Sequence, residues 1–121
     1  MNFRQDNTQI KTIFCDLDGT LIPHNWHPDD NTPMLLPGVE EFLRSLTQNR
    51  YYCVLTTARF QSECIYVLGQ LRQKYNFQFN EFIYGLPTGP GVVVNDNSSE
   101  GECKAFAIAI ERNKGLENIT I

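Results

Sequence analysis

Short runs of β-forming residues alternate along this chain with segments of helical period, and that alternation leaves few folds open. Ile10, Ile13, Phe14 and Cys15 form an apolar run, read as a strand over about 10–16, that stops at Asp16. Val39, Phe42, Leu43 and Leu46 recur at i, i+3, i+4 and i+7, which predicts an amphipathic helix with one apolar stripe. "YYCVLTT" reads as a second strand ending at Thr56–Thr57. Phe60, Cys64, Val67, Leu68 and Leu71 then carry helical spacing to about Lys74, and "EFIYG" is a short third strand. "GVVVND" reads as a fourth, its consecutive valines implying burial on both faces. Ser99 followed by Glu102 fits a capping box opening a last helix. Ala105, Ile108, Ala109 and Arg112 share one face of it, Gly115 is a stop signal, and "NITI" adds an edge strand. Strands alternating with helices imply a parallel sheet covered on both faces, a three-layer α/β/α arrangement of Rossmann-like type. A length of 121 residues allows one domain, 1–121, and not two.

Composition narrows the function classes. Apolar residues make up 41% and charged residues 20%, an ordinary globular balance. The net charge is −4 and no Lys/Arg cluster occurs, which argues against a nucleic-acid backbone as the main partner. No apolar run approaches the roughly 20 residues that span a bilayer. The opening "MNFRQDNTQ" is polar and lacks the apolar segment of a signal peptide, so the expectation is a cytoplasmic protein without a membrane partner. Cys15, Cys53, Cys64 and Cys103 are scattered without a C-x-x-C pair and read as reduced thiols with no functional part.

In parallel α/β sheets, ligands bind outside the carboxyl ends of the strands. The residues closing the apolar strands are therefore the candidates: Asp16 and Asp18, then Thr56 and Thr57, then Asn95 and Asp96. Asp16 and Asp18 are two apart and face one side while the backbone stays extended. Gly19 permits a tight turn and close ligand approach, and Thr20 adds a hydroxyl. With Asp96 arriving from another strand, the carboxylates make a hard-oxygen set suited to Mg²⁺, which would also offset their mutual repulsion.

"DLDGT" after an apolar strand resembles the first motif of the haloacid dehalogenase-like phosphatase superfamily. "CVLTTAR" resembles its second motif and "VVVNDN" its fourth, so the likeness runs from residue 10 to about 115. The resemblance implies a phosphoric monoester hydrolase. Asp16 would be the nucleophile that becomes an aspartyl-phosphate, and Asp18 the acid and base. Mg²⁺ would be held by Asp16, the Asp18 carbonyl and Asp96, while Thr57 would hydrogen-bond the phosphoryl group. Gly19, Thr20 and Ala58 would line the substrate. The superfamily's third motif supplies a lysine or arginine shortly before the fourth strand, but "GLPTGPG" holds none. Arg59 and Lys104, which begin near the same rim, are the stand-ins. The loop after Leu21 and the "GLPTGPG" segment are too short for a cap domain. The chain thus resembles capless members, which complete their sites by forming homo-oligomers or act on large substrates. "FIYGLPTGPGVVVND" and "AIAIERNKGL" further resemble small phosphatases of capsule and lipopolysaccharide biosynthesis, implying a sugar phosphate as substrate.

Simpler readings stand beside these. Each acid alone is an ordinary cap or turn residue, and Thr57 would cap the following helix. His24 and His27 fit a solvated loop better than a metal pair, with His24 or Trp26 reaching substrate if the loop folds over the site. Arg112 and Lys114 fall in the last helical turn, where the helix dipole accounts for them. Two other functions compete: a catalytically weak ligand- or partner-binding protein of the same fold, and a nucleotide or nucleic-acid 3′-phosphatase.

Overall fold

Residues 10–121 are described by a computed structural model; the polar stretch 1–9, read above as lacking a signal segment, lies outside the described residues. The elements are β1 (Thr12–Asp16), α1 (Val39–Gln48), β2 (Tyr52–Thr56), a 3-10 turn at Gln61–Glu63, α2 (Ile65–Tyr75) and β3 (Glu81–Ile83). The strands form one parallel sheet in the order β1-β2-β3. The register sets Asp16 beside Thr56 and Thr56 beside Ile83, so the three strands end level at one rim. This is the α/β parallel-sheet class that the alternating pattern implies.

The helices follow from their stripes. Val39, Phe42, Leu43 and Leu46 are the buried residues of α1, and Glu40 and Glu41 sit in its first turn, where the helix dipole favours acids. Each such side chain contributes about 1.5–3 kcal/mol on burial. In α2 the buried residues are Val67 and Leu71, and Asn76 ends it with a left-handed φ of 53°. Right-handed crossovers between strands laid down in the order β1-β2-β3 put both helices on the same face. The core accordingly gathers Cys15, Cys53 and Leu55 with the helix stripes and with Phe77 and Phe79. On the other strand parity Phe14, Tyr52 and Ile83 stay exposed.

Three expected elements do not form. Residues 91–96 are not a strand, and Val92, Val93 and Val94 are exposed at 83%, 64% and 93%. A parallel strand needs a crossover of about a dozen residues or more, and only residues 84–91, broken by Pro87 and Pro90, follow β3. The valines have the β propensity but no connection long enough to bring them back beside a neighbour. Nor are residues 99–112 a helix. The hydroxyl of Ser98, rather than Ser99, accepts the N–H groups of Glu100 and Glu102, and Gly101 at φ 83° donates to the Ser98 carbonyl. The capping signal is thus spent on a closed turn. Without a docked face, a helix this short is marginal in water, and among the described residues no helix follows α2. "NITI" is likewise not a strand.

No helix of the described residues is long and apolar enough to cross a membrane. All four cysteines are free thiols, and Cys15, Cys53 and Cys64 are buried. Burial pushes the Cys15 thiol up to about 12, the charge of Asp16 adding to the effect, and burial also raises Cys53 and Cys64. Since the thiolate is the reactive form, Ellman's reagent at pH 8 is expected to label Cys103 first and the other three only as the chain unfolds. Equal labelling rates in the native protein would contradict this packing.

Candidate active site

The loop after β1 is built around one carbonyl. Leu17 is fully buried, and its C=O accepts the N–H groups of Thr20, Leu21 and Ile22 at 3.2, 2.9 and 3.2 Å. Gly19 donates back to the Ile22 carbonyl at 2.7 Å and takes φ 81°, the left-handed value that favours glycine. Leu21 and Ile22, both fully buried, pin the far side of the turn. The acids of "DLDGT" are therefore held on a rigid hook rather than a loose loop. Thr20 Oγ1 donates to Asp16 Oδ2 at 3.2 Å. Burial lifts the Asp16 carboxyl above its ordinary range. The neighbouring Asp18 charge adds to this, and the Leu17 N–H, the Thr20 hydroxyl and His24 oppose it.

Asp18 is held differently. Arg59 Nε and Nη2 donate to its Oδ2 and Oδ1 at 2.8 and 2.7 Å, a two-pronged pair with only about a fifth of each side chain exposed. The same guanidinium donates to the carbonyls of Trp26 at 3.0 Å and Glu63 at 3.2 Å. Arg59 thus ties the hook to the loop after it and to the 3-10 turn. The Asp18 hydrogen bonds hold the guanidinium more firmly protonated, burial working the other way. Trp26 is a core anchor rather than a substrate contact. It is 7% exposed, lies near-parallel to Tyr66 at 6.3 Å, and its Nε1 donates to the Thr32 carbonyl. A lone tryptophan in an otherwise polar loop was the sequence signal for that role.

Thr57 is buried at 2% exposure; its Oγ1 accepts the Arg59 N–H at 3.1 Å, so it does shape the turn that aims Arg59. Ala58 is exposed on the bend between them. His24 is exposed beside the hook, close enough for its charge to act on Asp16. Asp96 and Lys104 are exposed in the irregular C-terminal stretch. The structure does not bring Asp96 to Asp16 and Asp18: among the described residues, no three acidic, His or Cys side chains gather where they could hold a metal ion.

The end of the chain does reach the hook. Asn113 donates its N–H to the Gly19 carbonyl at 2.9 Å, and its Oδ1 accepts the His24 N–H at 2.8 Å. A Cβ on Gly19 would lie 3.1 Å from Arg112 Cγ, so the Arg112 stem lies across the glycine. Leu116, 5% exposed, donates its N–H to the Pro37 carbonyl at 2.8 Å. At Gly115, whose φ is 87°, a Cβ would collide with that same carbonyl. Arg112 and Asn113 are therefore in a strap, not in the last turn of a helix.

Oxygen donors at the hook, the Asp16 carboxylate and the Asp18 carbonyl, suit a hard divalent cation in kind. Without Asp96 they are two protein donors, and water and phosphate oxygens would have to complete the shell of such an ion. Two surface hollows, of about 300 and 270 Å³, lie by α2 and by α1, and neither is lined by Asp16 or Asp18.

No match was found among curated proteins or solved structures. The family model for haloacid dehalogenase-like hydrolases matches residues 13–85, from β1 through the hook and Arg59 to just beyond β3. With that match over more than half its length, the chain belongs to the haloacid dehalogenase-like hydrolases.

Proposed function

We propose that this hydrolase is a Mg²⁺-dependent phosphomonoesterase working through an aspartyl-phosphate on Asp16. Its substrate would be a small sugar phosphate of surface-polysaccharide biosynthesis, and residues 1–121 would form one capless domain. The observation that carries the reading is the hook itself: a solvent-facing carboxylate at a strand end, with a second carboxylate fixed beside it. In this reading Asp16 attacks phosphorus in line with the departing oxygen. Asp18 gives that oxygen a proton, then takes one from the water that cleaves the acyl phosphate. Each Asp18 oxygen accepts one hydrogen bond from Arg59, which leaves its second lone pair for proton transfer. Magnesium, when bound, would neutralise phosphoryl charge. Asp16, the Asp18 carbonyl and Asp96 are its proposed ligands, with Asp96 having to move to join them. The loop over 23–37 packs on the core through Trp26 and Leu36, which supports a capless reading.

The expected result is phosphate release from sugar phosphates in a broad ester panel with Mg²⁺, lost on adding EDTA. No turnover anywhere in the panel with Mg²⁺ present would sink the reading. A second reading, a weakly catalytic binding protein of this fold, draws on the distance of Asp96 from the hook and the pairing of both Asp18 oxygens with Arg59. Beryllofluoride separates the two: the enzyme's melting temperature rises with it and Mg²⁺, and a simple binding protein's does not.

A further inference from the structure

A phosphate ester approaching Asp16 brings negative charge toward a carboxylate, and at the hook the positive charge is unevenly shared. The Asp18 charge is already matched by Arg59, whose guanidinium is spent on two carboxylate oxygens and two carbonyls. Asp16 has the Thr20 hydroxyl and the Leu17 N–H as partners and, among the described residues, no ion pair. Arg112, by contrast, has its stem across Gly19, with Nε 3.8 Å from where a Cβ would stand, and it makes no hydrogen bond or ion pair among the described residues. It is exposed. It is also not placed there by chance contact. Asn113 beside it is bonded to both ends of the turn, and Gly115 and Leu116 seat the strap against Pro37. A side chain in position 19 would push the arginine away, so the glycine serves both its own φ and this close approach.

We propose that Arg112, delivered by the C-terminal strap, is the cation that grips the phosphoryl group at the Asp16–Thr20 hook. This rests on the phosphatase reading of the hook. A guanidinium suits the task because its planar fork donates two parallel hydrogen bonds to phosphate oxygens. Being unpaired, it gives up no existing ion pair on binding. The strap lies outside residues 13–85, so this chain adds its phosphate cation from beyond the part shared with the family model.

The test compares wild type, Arg112→Gln, Arg112→Lys and Lys114→Gln. Phosphate-ester hydrolysis is measured with Mg²⁺, and inorganic phosphate binding by calorimetry with and without it. Glutamine keeps a stem over Gly19, and matching melting temperatures show that the strap stays seated. Expected for Arg112→Gln is a KM raised about 10- to 100-fold and phosphate affinity weakened by a similar factor. Arg112→Lys recovers part of both, and Lys114→Gln behaves as wild type. If wild type hydrolyses esters and Arg112→Gln matches it in KM and phosphate affinity, the inference is overturned and the phosphatase reading stands. If wild type binds phosphate without hydrolysing any ester and Arg112→Gln loses that binding, the phosphatase reading fails and the grip stands. Wild type that neither hydrolyses nor binds phosphate overturns both. Equal losses in Arg112→Gln and Lys114→Gln also overturn the inference, since they would mean general surface charge.

Discussion

Asp16→Asn is expected to cut phosphate release at least about 10³-fold while raising the melting temperature of the metal-free protein at pH 7. The loss follows because an amide cannot attack phosphorus and no neighbouring acid can take its place. Asp18 is the nearest carboxylate, and both its oxygens are held by Arg59. The gain in stability follows from the environment of Asp16. Burial raises its carboxyl above the ordinary range, and Asp18 pushes the same way.

A raised value in the folded protein means that folding favours the protonated acid. Its stabilising contribution is complete below the ordinary carboxylate pKa and fades as pH rises through the raised one. Asparagine is neutral throughout and escapes that loss. The melting temperatures of variant and wild type should therefore converge in acid and separate toward neutral pH, with the variant higher. Thermal melts from pH 3 to 8 in EDTA read this directly. A variant that melts lower than wild type at pH 7 would show that Asp16 is not paying a burial penalty there. Residual activity above about a hundredth of wild type would remove it as nucleophile.

What could be read in advance follows the range of the interactions concerned. The stripe of α1, the apolar runs of β1 and β2, and the hook at "DLDGT" are set by neighbours a few residues apart, and the structure has them all. The Val92–Val94 strand failed because a parallel strand exists only through a distant partner and a long enough connection, neither of which propensity measures. The helix over 99–112 failed because Ser98 and Gly101 close a turn where Ser99 and Glu102 promised a cap. Arg59 was legible as a rim residue from its place after Thr57, but its pairing with Asp18 spans 41 positions. The seating of Arg112 and Asn113 on the hook had still less local trace, since the His24–Asn113 bond spans 89.

Arg59→Met is expected to be the most destabilising single change at the rim, costing about 2–3 kcal/mol and lowering the melting temperature by roughly 10 °C. Methionine fills most of the stem's volume but leaves Asp18 without its two donors and the Trp26 and Glu63 carbonyls without theirs. Removing one partner of a fully buried pair costs about 3–5 kcal/mol; the fifth of each side chain that reaches solvent lowers the figure here. Arg59→Lys keeps the charge but not the fork. One ammonium cannot span two carboxylate oxygens and two carbonyls, so it should restore less than half of the loss. The double variant Arg59→Met with Asp18→Asn separates the stranded charge from the lost tether. If the charge dominates, the double variant is more stable than Arg59→Met alone; if the tether to Trp26 and Glu63 dominates, it is no better. Activity adds an independent reading. An untethered Asp18 is a misplaced acid and base, so Arg59→Met should lower kcat more than it raises KM. A variant that melts within about 2 °C of wild type would mean that the hook, the loop after it and the 3-10 turn hold together without Arg59.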